Sequence, residues 1–581
     1  MISNNEITKI LKEIAEYLEM KSIPFKPRAY EKAAEAISEL EEEVTEVYKK
    51  GGLIALEKIP GVGISIAEKI EEFIKTGKLK YYEQLKKSVP VDLASFSGIE
   101  GLGPKTIFKL YKKLGIKNLK DLESAIAKRK IEKLKGFGKK SEEKISKGIE
   151  FAKKHSGRYV LGFIMPLIRE IENRIKNISG VKQVVVAGSV RRMKETIRDA
   201  DILVVSQKPK PVMDYFVSMP EVAYVIAHGK TKSSIKLKNG LDVDIRVVPE
   251  ESFGAALNYF TGNRDHNVSL RELAIKNGWK LNEYGLFKGK KIIAGKSEEE
   301  LYKKFGLTYV EPELRENTGE LRLAKENKLP KLIGYKDLRG DLQIQTNWTD
   351  GANSIEEMAC AAIAERLEYI VITDHTKRLA MTHGLDEKRI KEQWKEIDKV
   401  NAKLKKEKIN FTILKGSECD ILKDGSMDLS DKILEQLDVV GGAVHSSFNL
   451  SKEEQTKRIM KAMKNPHVDI IFHPTGRILN RREPYEIDID EIIKVAKETG
   501  TVLEIDAYPE RLDLKDHYIK KCVETGVKLS IDSDAHSITH LPYLEYGIGT
   551  ARRGFATKND IINAWPIDKM LSFLKDKRKI K

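Results

Sequence analysis

The chain has 581 residues, beyond the roughly 250–300 residues at which a single core stops growing, so one compact domain is excluded. Its 104 Lys and Arg outnumber 88 Asp and Glu, giving a net charge of +16, while 41% hydrophobic content excludes wholesale disorder. The charge favours a polyanionic partner, nucleic acid first and an anionic membrane surface second, with a charge-rich thermophile-like surface as the plain alternative.

The N-terminus, MISNNEITKI, lacks the basic and apolar regions of a signal peptide. No stretch approaches the ~20 apolar residues of a membrane span. Cys360, Cys419 and Cys522 are scattered, which gives no disulfide framework or structural zinc motif. A soluble, cytoplasmic protein is expected.

Residues 5–85 read as helices, with apolar residues at three-to-four spacing. A short unit then occurs three times: IPGVGISIAEKI (59–70), IEGLGPKTIFKLYKKL (99–114) and LKGFGKKSEEKI (134–145). Each has a Gly-apolar-Gly turn leading into a helix. Gly61, Gly63, Gly101, Gly103, Gly136 and Gly138 let backbone amides approach a ligand, and the helix that follows adds its positive end. A tight inter-helix turn explains one copy equally well. Three copies in a basic chain favour contact with phosphate backbone, which carries no sequence information. The units resemble helix-hairpin-helix motifs.

From about residue 158 strands appear: VKQVVVAGS, ADILVVS and LDVDIRVV. Asp199 and Asp201, two apart on a strand, share one face. Asp244 lies on another strand, opposite Val243, Ile245 and Val247. Three clustered carboxylates repel unless cations bind, and hard oxygen ligands suit Mg²⁺. Two such ions can serve an in-line phosphoryl displacement. Upstream, AGSVRRMKE places a hydroxyl, backbone amides and arginine where a triphosphate would fit. Surface acids at strand ends are the alternative, and DxD alone is a weak signal.

Residues 313–337 are polar, carry Pro330 and Gly334, and read as a linker. From 338 onward seven apolar strands, DLQIQ, YIVIT, FTILKG, VVGGAVH, DIIFH, TVLEID and KLSID, alternate with helical stretches. That pattern suggests a barrel-like α/β domain with its chemistry at the strand C-terminal ends.

With GSVRR, DAD, the VDIR strand and YFTGNRDHN (259–267), residues 1–312 resemble a family X DNA polymerase, the class of DNA polymerase beta. The resemblance implies that Asp199, Asp201 and Asp244 are metal-binding catalytic acids holding Mg²⁺ or Mn²⁺, with Asp244 activating the primer hydroxyl. It implies that Arg158, Gly188, Ser189 and Arg192 hold the triphosphate. Tyr259, Phe260 and Gly262 would face the sugar, and Asn267 and Arg271 the nascent pair. Lys69 would be a deoxyribose-phosphate lyase nucleophile, with Tyr30 and Lys26 nearby and Lys105 on DNA. Phe25, Ser65 and Tyr81 depart from relatives with strong lyase activity, so the lyase activity expected here is weak. A solvated helix lysine is the alternative.

ELRENTGE resembles the linker of members that continue into a PHP (polymerase and histidinol phosphatase) domain. The implied metal set there is Asp350, His375, Glu418, His445, His473, Asp534 and His536, taking Mn²⁺ or Zn²⁺. The family's first motif begins His-x-His, but here Gln343 and Gln345 stand in those positions. Asp506 is a further departure. An amide is a poorer ligand than imidazole, so the PHP phosphoesterase is expected to be weak or lost.

The expected fold is multidomain α and α/β. Domains would be a lyase-like helical domain at 1–85, a helix-hairpin-helix domain at 86–155, a nucleotidyltransferase palm at 156–252 and a nucleotide-selection subdomain at 253–312. The linker at 313–337 and a distorted (β/α)7 PHP barrel at 338–581 would follow. The expected function is a monomeric repair polymerase that takes deoxynucleoside triphosphates and fills gaps in gapped or nicked DNA. The alternatives are a nuclease-led repair enzyme and a non-catalytic DNA-end scaffold.

Overall fold

The structure, a computed structural model, describes residues 4–38, 40, 42–96, 99, 102–155 and 157–580. Two compact units divide the chain, the second spanning Gly157–Leu479 and Glu483–Lys581.

The first unit is helical. Asn4–Met20 buries Ile7, Leu11, Ile14, Ala15 and Leu18, spaced three and four apart so that they form one stripe. The stripe packs on Ala33, Ala34 and Ile37 of Lys26–Ser38. The same cluster takes in Ile66 and Ile70 of Ile64–Thr76 and Ile107 and Leu110 of Pro104–Leu114. The segments 1–85 and 86–155, expected as separate domains, therefore share one hydrophobic core. The polarity of their surfaces gave no sign of this, because the shared apolar stripes belong to distant helices.

Among the described residues the second unit contains four sheets, the smallest pairing Tyr159–Val160 with Thr196–Ile197. A five-stranded sheet runs in the order Val181–Val186, Asp199–Ser206, Asp242–Val248, Lys232–Leu237, Val222–His228. Its central pair, Asp199–Ser206 and Asp242–Val248, is parallel and pairs Asp199 with Asp242 and Asp201 with Asp244. Ala200, Ile202, Val243 and Ile245 are buried on the opposite face, as period-two alternation requires. A three-stranded antiparallel sheet, Lys280–Asn282, Gly285–Lys288 and Lys291–Ala294, follows.

The seven strands expected after residue 338 form one parallel sheet in sequence order: Gly340–Ile344, Tyr369–Ile372, Thr412–Asp420, Val439–Ala443, Ile470–Ile471, Val502–Asp506 and Leu529–Asp532. An Ile344–Ala535 bridge draws the last strand back to the first, so the sheet is nearly closed. Apart from Thr412 and Lys415 of the third strand, the strand residues are buried on both faces, the pattern of a helix-wrapped parallel barrel.

The segment 313–337 is folded rather than a free linker. It contains the helix Glu320–Lys325 and the fully buried Arg315, whose guanidinium pairs with Glu298. Glu313 is held by Arg552 at 2.8 Å. Among the described residues, no helix is long and apolar enough to cross a membrane.

Candidate active sites

The first site lies at the C-terminal end of Val181–Val186, where the chain turns through the short helix Gly188–Arg191. Gly188 has φ +65, and a Cβ there would meet Asp201 Oδ2 at 2.8 Å. The turn can therefore lie against the acids only with glycine at this position. A cavity of about 580 Å³ is lined here by Gly188, Ser189, Arg192, Asp199, Asp201, Tyr259, Phe260, Gly262, Asn267 and Arg271. Asn263 and Arg264 of the same YFTGNRDHN motif line it too.

Burial, then the charges of Asp199 and Asp244, push Asp201 up to about 7. Repulsion of this kind is what a bound cation relieves, so the three acids fit a divalent metal. Lys232 Nζ lies 3.1 Å from Asp244 and offsets part of the charge. Arg192 donates through Nε to Glu316 at 2.7 Å and through Nη1 to the Thr261 carbonyl. Asn267 donates to the Tyr259 carbonyl at 2.7 Å. Arg158, expected on the triphosphate, instead donates to Thr196 Oγ1 at 2.7 Å and its carbonyl at 2.5 Å. It lies within electrostatic reach of Asp199 but is not among the residues lining the cavity.

In the helical unit, Gly63 and Gly103 sit at the N-caps of Ile64–Thr76 and Pro104–Leu114, with no side chain capping either helix. Gly136 and Gly138 precede Lys139–His155. Gly61 lies in the first turn, and Gly101 lies outside the described residues. Lys105 and Lys26 are exposed. Lys69 Nζ donates to the Ser65 carbonyl at 2.8 Å and stands 5.1 Å from the centre of the Tyr81 ring. Tyr81 stacks on the buried Tyr30. Burial lowers the Lys69 pKa, Glu68 opposes this, and Lys26 lowers it further, so the ammonium is destabilised on balance.

The second constellation sits at the barrel strand ends. Asp350, His375 and His536 bring three ligand atoms within 4.8 Å of one another, as do His375, Glu418 and His445. Three groups hydrogen-bond the buried Glu418, His445 Nε2 at 2.9 Å, His473 Nε2 at 2.8 Å and Gln345 Nε2 at 2.8 Å, while His375 Nδ1 stands 3.1 Å away without a hydrogen bond. Both triads fit a divalent ion by donor type.

The remaining corner does not fit one. The Gln343 amide faces Glu504, donating to Oε2 at 3.2 Å in the orientation that satisfies both groups. Burial, then Asp506 and Asp532, push Glu504 well above the carboxylate range. Asp534 lies 3.5 Å from Arg511, whose Nε is 3.3 Å from Asp506. The Arg511 guanidinium and the Gln343 amide thus stand in this corner, while the Gln345 amide takes up one Glu418 oxygen.

Glu504, Arg511 and Asp420 were missed by sequence reasoning. Period two would have found Asp420, which follows Glu418 by two on the same strand and lies 3.4 Å from His445 Nδ1. The same spacing relates Glu504 to Asp506.

Comparison with known families matches residues 2–79 to a helix-hairpin-helix domain and 92–150 to a SAM-like helix-hairpin-helix tandem. Residues 256–316 match the DNA polymerase beta thumb, and 341–507 the PHP domain. The chain is 39% identical over 575 residues to the DNA polymerase/3′-5′ exonuclease PolX of Bacillus subtilis (strain 168), covering 98% of this chain and 99% of that protein. Over 238 residues, 39% of this chain, it is 32% identical to a "probable phosphatase" of Thermoanaerobacter sp. (strain X514), covering 90% of that protein.

Proposed function

This chain belongs to the PolX family of DNA polymerases, and from that premise we propose that it fills short gaps in damaged DNA by nucleotidyl transfer. What carries the reading is one cavity shared by the acid pair Asp199 and Asp201 and the turn Gly188–Ser189–Arg192. Asp199, Asp201 and Asp244 would hold Mg²⁺ or Mn²⁺. Bound there, such ions supply the positive charge that stabilises the attacking and leaving oxygens.

Asp244 accepts the primer hydroxyl proton. The Gly188 amide, Ser189 and Arg192 bind the triphosphate, which takes over the Arg192 contact now made by Glu316. Tyr259, Phe260 and Gly262 wall the sugar, and Asn267 and Arg271 meet the nascent pair. The hairpin turns and Lys105 grip gapped or nicked DNA by its phosphates. The protein works as a monomer in the cytoplasm. Lys69 acts as a lyase nucleophile, because burial leaves more of its amine uncharged at neutral pH.

The PHP half binds metal through its two triads but is impaired as a phosphoesterase, because Gln343 and Arg511 occupy one corner and Gln345 takes up an oxygen of Glu418. Extension of a primer across a single-nucleotide gap, with Asp244→Ala as control, tests the leading reading. Incorporation that survives Asp244→Ala would overturn it.

A further inference from the structure

Just past the triphosphate turn, the chain runs through Met193, Lys194 and Glu195. These three residues are held by the barrel domain. Arg477 grips Glu195 with both nitrogens, at 2.6 Å and 3.2 Å. Arg553 lies 3.6 Å from the same carboxylate and donates to the Met193 carbonyl. Its Nε bonds Asp516 at 2.9 Å, and Asp516 stands 3.6 Å from Lys194. Lys194 in turn lies 3.5 Å from Glu316, the partner of Arg192. An unbroken series of charges therefore runs from the triphosphate arginine into the barrel.

The packing is equally close. Gly549 faces Met193, and a Cβ on it would come within 2.8 Å of the Met193 Cβ. Met193 itself is at φ +52, a conformation that persists only where surroundings over-determine it. Leu512 and Tyr546 of the barrel belong to the hydrophobic cluster under the five-stranded sheet. Burial raises the Glu195 pKa, but Arg477 and Arg553 outweigh it and hold the carboxyl below its usual range. Arg477 and Arg553 are nearly buried, so their contacts are little screened by solvent.

The geometry points to the barrel domain as a positioning element for the nucleotide site: Arg477 and Arg553, through Glu195 and the Met193 carbonyl, fix the loop that sets the Gly188–Arg192 turn. This rests on the reading that the turn binds the triphosphate. It gives the barrel a role in polymerisation that needs none of its own metal chemistry. Arg477, Arg553 and Asp516 are positioning residues, since none lines the nucleotide cavity.

The test is steady-state incorporation on a single-nucleotide gap by the full chain, with kcat and KM for the nucleotide separated. Arg477→Met should raise KM about tenfold, because a loop displaced by a fraction of an ångström weakens triphosphate binding. Its kcat should stay within about twofold at saturating nucleotide, because the three acids are untouched. Arg553→Lys keeps a charge but not the carbonyl bond, and should give a smaller rise. It covers the case in which Arg477→Met fails to fold, which far-ultraviolet circular dichroism would reveal. Arg192→Ala is the control for the underlying reading. If Arg192→Ala raises KM while the folded Arg477 and Arg553 variants leave it unchanged, the positioning role is overturned. If Arg192→Ala also leaves KM unchanged, the triphosphate reading itself fails.

Discussion

Asp201→Asn should stabilise the metal-free protein, in a pH-dependent way. The Asp201 carboxyl rises from 3.8 to about 7 on folding, through burial first and then Asp199 and Asp244. Its charged form is therefore disfavoured in the folded state. The penalty is absent below about pH 4, grows through the window to pH 7, and is complete above it. Three units at ~1.36 kcal/mol each give a ceiling of about 4 kcal/mol. Asp201 lines the open nucleotide cleft, and halving the ceiling for screening leaves about 2 kcal/mol. For a unit of this size that is about 2 °C in the melting transition. Scanning calorimetry in EDTA should show the variant melting higher than the parent at pH 8.5 and equal to it at pH 4. Adding Mg²⁺ should raise the parent's transition at pH 8.5 by relieving the repulsion, and should shift the variant less. Equal melting at pH 8.5, or a gain confined to acid pH, would refute the electrostatic account of the site.

Gly188→Ala should cost about 1–3 kcal/mol through strain at positive φ and lower incorporation by displacing Asp201, measured by melting and gap extension together. Lys69 should be trapped by borohydride on an incised abasic duplex, with yield rising as pH rises through its lowered pKa. Absence of an adduct, or one that survives Lys69→Ala, would remove the lyase assignment. Gln343→His with Gln345→His should increase bound Mn²⁺ per chain in equilibrium dialysis and raise 3′–5′ degradation of a primer. An unchanged metal content would show that the glutamines are not what limits the barrel site.

Much of this was legible in the sequence because the signals are local. Asp199 and Asp201 share a strand face by period two, and Gly188 follows a strand directly. His375 and Asp534, expected as barrel ligands, fall just after apolar runs that proved to be strands, and Glu418, also expected as one, lies near the end of another. What was not legible depends on partners far away in the chain. Arg477 and Glu195 are 282 residues apart, so neither neighbourhood marks the pair. Glu316 and Arg315 sat in a stretch whose polarity read as a linker, although each charge is held by a distant partner.

One primer, labelled at its 5′ end in a single-nucleotide gap with all four nucleotides and Mg²⁺, reports both chemistries in the same lane. The account predicts extension by one nucleotide that is abolished by Asp244→Ala, with little shortening from the 3′ end. Shortening that outpaces extension, and persists in Asp244→Ala, would contradict it.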